Sequence, residues 1–127
     1  MTEPRRNDID EIIARMNEEV GFIPPTMQYL MEHRPEVVEE HARSKKFVLS
    51  RQSIPDKYKQ LIIIAAAAAA GAPKCVETQT RIAIRKGISP DEIVDALLLA
   101  RFALSSTVFA NAADALKVAY EGEGSAE

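Results

Sequence analysis

One side chain in this 127-residue chain is a strong nucleophile: Cys75, its single cysteine. Cys75 stands two residues after Pro73, and proline favours the first position of a helix, so the thiol is predicted in a first helical turn. Unpaired backbone N–H groups there, with Lys74 adjacent, favour the thiolate, which is the attacking form. A thiolate so placed can reduce a peroxide and pass through a sulfenic acid. The competing expectation is a small buried hydrophobe, as free cysteines often are. With no second cysteine, a disulfide requires another molecule, and a four-cysteine metal site is excluded. Gln79 lies one helical turn on and can meet Cys75, whereas Glu77 should point away from it. A neutral amide can orient a ligand or satisfy a backbone group, but it cannot serve as a base.

The remaining candidates are weaker. His33 and His41 are separated by eight positions across Pro35, and no H-E-x-x-H pair occurs. His41 with Glu36 and Glu40 can be drawn as a carboxylate-rich metal site, but a solvated acidic face explains the same letters. No metal or cofactor is expected. The phosphate-loop, dinucleotide and nucleophile-elbow motifs are absent. Arg43, Lys45 and Lys46, like Arg85 and Lys86, lack interleaved aromatics and read as solvated helix ends. With 19 acidic against 16 basic residues, a net charge of −3 gives no general attraction to nucleic acid or anionic lipid. The start Met1-Thr2-Glu3-Pro4-Arg5-Arg6 is not followed by an apolar signal core, so the expected location is the cytoplasm.

The elements that must position these groups read as helices throughout. Ile9, Ile12, Ile13, Met16 and Val20 mark one apolar helix face, and Gly21 offers its stop. Phe22-Ile23-Pro24-Pro25 must be extended. Thr26 is a good N-cap for a short helix to about His33, and Pro35 opens another that contains Val37, Val38, His41, Phe47 and Val48. Ser53-Ile54-Pro55-Asp56 reads as a cap with proline inside the first turn. The helix that follows runs through Leu61-Ile62-Ile63-Ile64 and Ala65 to Ala70 to end at Gly71. It is apolar nearly all round and is predicted to be buried on most sides. At Leu61–Ala72 it is too short to span a membrane, which takes roughly 20 apolar residues. A helix from about Lys74 to Lys86 stops at Gly87. Ser89-Pro90-Asp91-Glu92 then spells a capping box, followed by the stripe Ile93, Leu97, Ala100 and Leu104. Ser105-Ser106-Thr107 can break that helix and cap a last one. The expected organisation is one helical domain over 1–121 with a frayed tail over 122–127.

Three blocks in this order carry a family resemblance: Lys57-Tyr58-Lys59-Gln60-Leu61-Ile62 before the alanine helix, Cys75-Val76-Glu77-Thr78-Gln79, and Ala83-Ile84-Arg85-Lys86-Gly87-Ile88-Ser89-Pro90-Asp91-Glu92-Ile93. Together they resemble the carboxymuconolactone decarboxylase family, which includes the alkylhydroperoxidase D-like proteins. Phe22-Ile23-Pro24-Pro25 and Pro35-Glu36 are similar to that family's lead-in, so the resemblance spans about residues 20–120. It implies an all-α bundle of about six to seven helices whose protomers join as trimers or hexamers. For the peroxidase-like members it implies a cysteine pair served by a Glu and a His. Here the Glu falls on Gln60, the first Cys on Ala72, the second Cys on Cys75 and the His on Gln79. Only the thiol of Cys75 remains, and both relay positions are amides that transfer no proton near neutral pH.

Three functions follow as expectations. The first is a one-cysteine, peroxiredoxin-type antioxidant oxidoreductase in which Cys75 is the peroxidatic thiol and an external thiol resolves it. The second is a decarboxylase-type enzyme for a small lactone or acid, with Arg81, Gln60 and Gln79 able to orient a carboxylate. The third is a noncatalytic oligomeric scaffold that kept the bundle and lost the relay. The resemblance favours the first, with weak or absent turnover.

Overall fold

Proline and glycine divide the chain. In the computed structural model, which describes residues 3–126, the elements are α1 (Glu3–Val20), α2 (Pro25–His33), α3 (Pro35–Ser50), α4 (Asp56–Ala69), α5 (Pro73–Arg85), α6 (Pro90–Ser105), α7 (Thr107–Asn111) and α8 (Ala113–Glu121). A 3-10 turn follows at Glu123–Ala126, and no strand occurs among the described residues. Met1 and Thr2, and Glu127 of the expected tail, lie outside the described residues. Pro25, Pro35, Pro73 and Pro90 each open a helix, where the missing N–H costs no hydrogen bond.

Gly21 ends α1 with φ +93°, and a Cβ there would stand 2.2 Å from the Arg85 guanidinium. That guanidinium donates from Nη1 to the Glu18 carbonyl at 3.2 Å, which ties the end of α1 to the end of α5. Glycine is needed twice over here, by conformation and by space.

Three capping expectations are corrected. Thr26 lies inside α2 after Pro25, with Pro24 at the N-cap and no side-chain cap. Pro55 occupies the N-cap of α4 rather than its first turn, and Ser53 caps nothing. Ser106 makes no forward cap to α7. Instead Ser105, Ser106 and Thr107 donate their hydroxyls back to the carbonyls of Phe102, Ala103 and Leu104, at 2.7, 3.1 and 2.6 Å. Such back-bonding competes with the helix ladder and marks the break between α6 and α7. The expected last helix is divided again further on, at Ala112, into α7 and α8. The capping box at Ser89 forms as read: Glu92 N donates to Ser89 Oγ at 3.1 Å and Ser89 N to Glu92 Oε1 at 3.2 Å.

The central core joins Ile64, Ala83, Ile88 and Ile93, with Leu61, Val76 and Leu97 against it, so α4 is clamped between α5 and α6. Beyond α5, α1 packs on α5 and α3, and Val20, Val38 and Ile82 on these three helices are each buried.

The expectation that α4 is buried on most sides fails. Only Gln60 and Ile64 of α4 are buried. Its other side, with α6, lines an open apolar groove of about 620 Å³ through Tyr58, Ile62, Ala66, Leu99 and Ala103. Among the described residues, the run long and apolar enough to cross a membrane is Pro90–Asn111, not the alanine helix, with a mean hydropathy of 1.7. Leu99, Phe102 and Phe109 are 70%, 77% and 72% exposed. The periodicity of this run identified the stripe that meets α4 but not the apolar residues on its other sides.

Candidate functional site

Cys75 is the third residue of α5, after Pro73 and Lys74, and it is solvent-exposed. The expectation of a buried thiol is therefore overturned. The thiol lines a cavity of about 660 Å³ walled by α1, α2, α3 and α5. Thr78, Gln79 and Ile82 continue the α5 wall one and two turns on from Cys75, as helical spacing requires. Facing them are Val38, His41 and Lys45 of α3, together with Met16 and Glu19 of α1.

Gln60 and Gln79 are brought together. Gln60 is 3% exposed, and its Nε2 donates to Gln79 Oε1 at 2.8 Å and to the Gln79 backbone carbonyl at 3.0 Å. One amide group thus spends both its hydrogens on the other residue. This satisfies a buried polar group that would otherwise cost about 1–3 kcal/mol, and it latches α4 to α5. Gln79 also reaches the cavity that holds Cys75, so the latch forms part of the cavity wall.

The other sequence candidates are dispersed. Ala72 is the N-cap of α5 and donates its N–H to the Ala67 carbonyl at 3.0 Å. Arg81 is not among the cavity-lining residues: it pairs with Glu77 at 3.1 Å and stacks over the Phe22 ring at 5.4 Å. Glu77, on that outer face, points away from the cavity as read. His33 donates Nδ1–H to the Tyr29 carbonyl at 2.9 Å and stacks on the Tyr29 ring, so it is a local feature of α2. Glu36 and Glu40 pair with Arg34 and Arg43, apart from His41. Among the described residues no three of His, Cys, Asp and Glu form a group that could hold a metal.

The sequence reading missed the convergence on Cys75 from α3 and α1. His41 and Lys45 had been assigned to solvated faces, yet both line the cavity, and Lys45 Nζ donates to Glu19 Oε2 at 2.7 Å. The available signal was the spacing of Val38, His41, Lys45 and Leu49, which puts them on one helix stripe with a buried valine. Within the central fold, Lys57 pairs with Glu92. The Lys57 hydrogen bond, followed by the Ser89 backbone N–H, holds the Glu92 carboxyl below its ordinary range. The same hydrogen bond raises the Lys57 ammonium above its own.

The fold matches that of known proteins. The family model for the Carboxymuconolactone decarboxylase family matches residues 35–118. The chain belongs to the carboxymuconolactone decarboxylase family, and with that to the wider relation that includes the alkylhydroperoxidase D-like proteins. Among solved structures it is similar to a "putative carboxymuconolactone decarboxylase" from Burkholderia xenovorans LB400. The two share 25% identity and a TM-score of 0.67 over 78% of this chain and 77% of that one. An uncharacterized protein of Methanocaldococcus jannaschii is 27% identical over 96 residues, 75% of this chain and 90% of that protein.

Proposed function

We propose that this chain is a one-cysteine, peroxidase-like thiol oxidoreductase. The observation that carries the reading is the exposed Cys75 thiol in the first turn of α5, on the wall of a cavity large enough for a small organic molecule. In the first step the Cys75 thiolate attacks the terminal oxygen of a hydroperoxide. The S–O bond forms as the O–O bond breaks, and the departing alkoxide takes a proton from water to leave as the alcohol. The Cys75 sulfenic acid then condenses with an external thiol, releasing water and giving a mixed disulfide. A second external thiol regenerates Cys75. Gln60 and Gln79 position the α5 wall and move no proton.

The Gln60–Gln79 latch supports a second reading, a binding module of the same fold without turnover. Mass spectrometry after a hydroperoxide pulse with a sulfenate-trapping reagent separates the two. Thiol chemistry predicts a trapped adduct on Cys75, whereas an unmodified Cys75 at excess peroxide leaves the binding module.

On the same reading the chain works as a homo-oligomer, its copies covering the α4–α6 groove and the exposed apolar side chains of α6 and α7. The support is physical: Leu99, Phe102 and Phe109 are large apolar side chains left mostly exposed on α6 and α7, the kind of surface that a partner copy covers.

A further inference from the structure

The cavity beside Cys75 has two kinds of wall. Its interior is apolar, with Ile12, Met16, Val20, Met27, Val38 and Ile82 lining it. Val20, Val38 and Ile82 are themselves buried. Four cationic side chains, Arg15, Lys45, Lys46 and Lys74, line the same cavity against a single carboxylate, Glu19.

These cations differ in what already neutralises them. Lys45 is committed to Glu19 at 2.7 Å, and Arg15 to Glu11 at 2.7 Å. Lys74 reaches Glu77 only at 4.0 Å, and Lys46 has no ion pair among the described residues. An apolar interior with positive charge only partly neutralised selects a ligand with an apolar body and one anionic end. A neutral molecule leaves the charge unused, and a small dianion leaves the apolar wall wet.

From this we infer that the cavity is a binding site for an amphipathic monocarboxylate, its chain against the apolar wall and its carboxylate met by Lys46 and Lys74. Resting on the thiol reading above, the inference makes the substrate class of Cys75 a hydroperoxide that carries a carboxylate. It also stands as binding alone, because the recognition uses none of the thiol chemistry.

Titration of the full-length protein with octanoate and with 1-octanol, followed by calorimetry and amide NMR shifts, tests it. The expected result is one octanoate per chain, bound about tenfold or more tighter than octanol, with Lys46→Glu plus Lys74→Glu removing most of that preference. Shifts should fall on α1, α3 and α5. Equal affinity for octanol, octanoate binding unchanged in the charge-reversed chain, or shifts confined to the α4–α6 groove overturns the inference. The wild-type comparison of acid with alcohol decides the matter should that variant not fold. Octanoate has no O–O bond, so the two readings fail separately. Octanoate binding without peroxide turnover removes only the thiol reading, and turnover without octanoate binding removes only the carboxylate.

Discussion

Gln60 and Gln79 occupy positions where the family resemblance implies a Glu and a His. They are bonded to each other, which sets what substitution there must do. Gln60→Glu alone puts a carboxylate where Nε2 now donates to two Gln79 oxygens, so a buried charge faces acceptors. A loss of about 2–4 kcal/mol in denaturant unfolding is expected. Adding Gln79→His supplies a donor and should recover at least about 1 kcal/mol of that loss, a coupling read from the double-mutant cycle. Additive losses would mean that the two side chains do not share a bond. The degenerate positions were legible only through the family resemblance, which sets Gln60, Ala72 and Gln79 where it implies a Glu, a Cys and a His. What they do was not legible, because an amide that donates to another amide looks the same in sequence as one turned to solvent. His41 and Lys45 were missed for a related reason: the cavity they line depends on how α3 lies against α5, and nothing local to α3 encodes that.

The start of α6 shows the opposite case, an element written fully in its own residues. Ser89, Pro90 and Glu92 predict a capping box, and the box forms because every partner lies within four positions. Ser89→Ala should cost about 1 kcal/mol by thermal or denaturant unfolding. Glu92→Gln keeps the box, since Gln also serves at that position, and isolates the charge on Lys57. Because the folded Glu92 carboxyl is held below its unfolded value, its contribution is present above the ordinary carboxylate range and lost as pH falls through the folded value. The raised Lys57 gives a contribution present below the unfolded lysine value and lost as pH rises through the folded one. Wild type should therefore melt above Glu92→Gln near neutral pH, with the gap closing as acid carries the pH below the ordinary carboxylate range. A gap that persists in acid would contradict that assignment. The Ser105-Ser106-Thr107 break between α6 and α7 was legible as a break, but not the direction of its hydroxyl bonds, and no Gly or Pro marks the second break at Ala112 between α7 and α8.

At the scale of the molecule, the clamp of α4 between α5 and α6 leaves α4 and α6 with a second, uncovered side, and α6 and α7 carry that apolar surface onward. Sequence periodicity locates the stripe that faces the core; it does not reveal that the opposite stripe needs cover as well. If copies of the chain supply that cover, Leu99→Asp with Phe102→Asp should lower the mass in light scattering to that of one protomer, with helicity retained by circular dichroism. A wild-type chain that is already monomeric would remove the oligomer from the account. Function of the whole molecule rests on Cys75 acting as a thiol at the cavity wall, and pre-steady-state peroxide consumption tests this most directly. With an organic hydroperoxide and an external thiol, the wild-type protein should consume peroxide in a rapid phase stoichiometric with Cys75, and Cys75→Ser should lose that phase entirely. Equal consumption by wild type and Cys75→Ser would contradict the central claim.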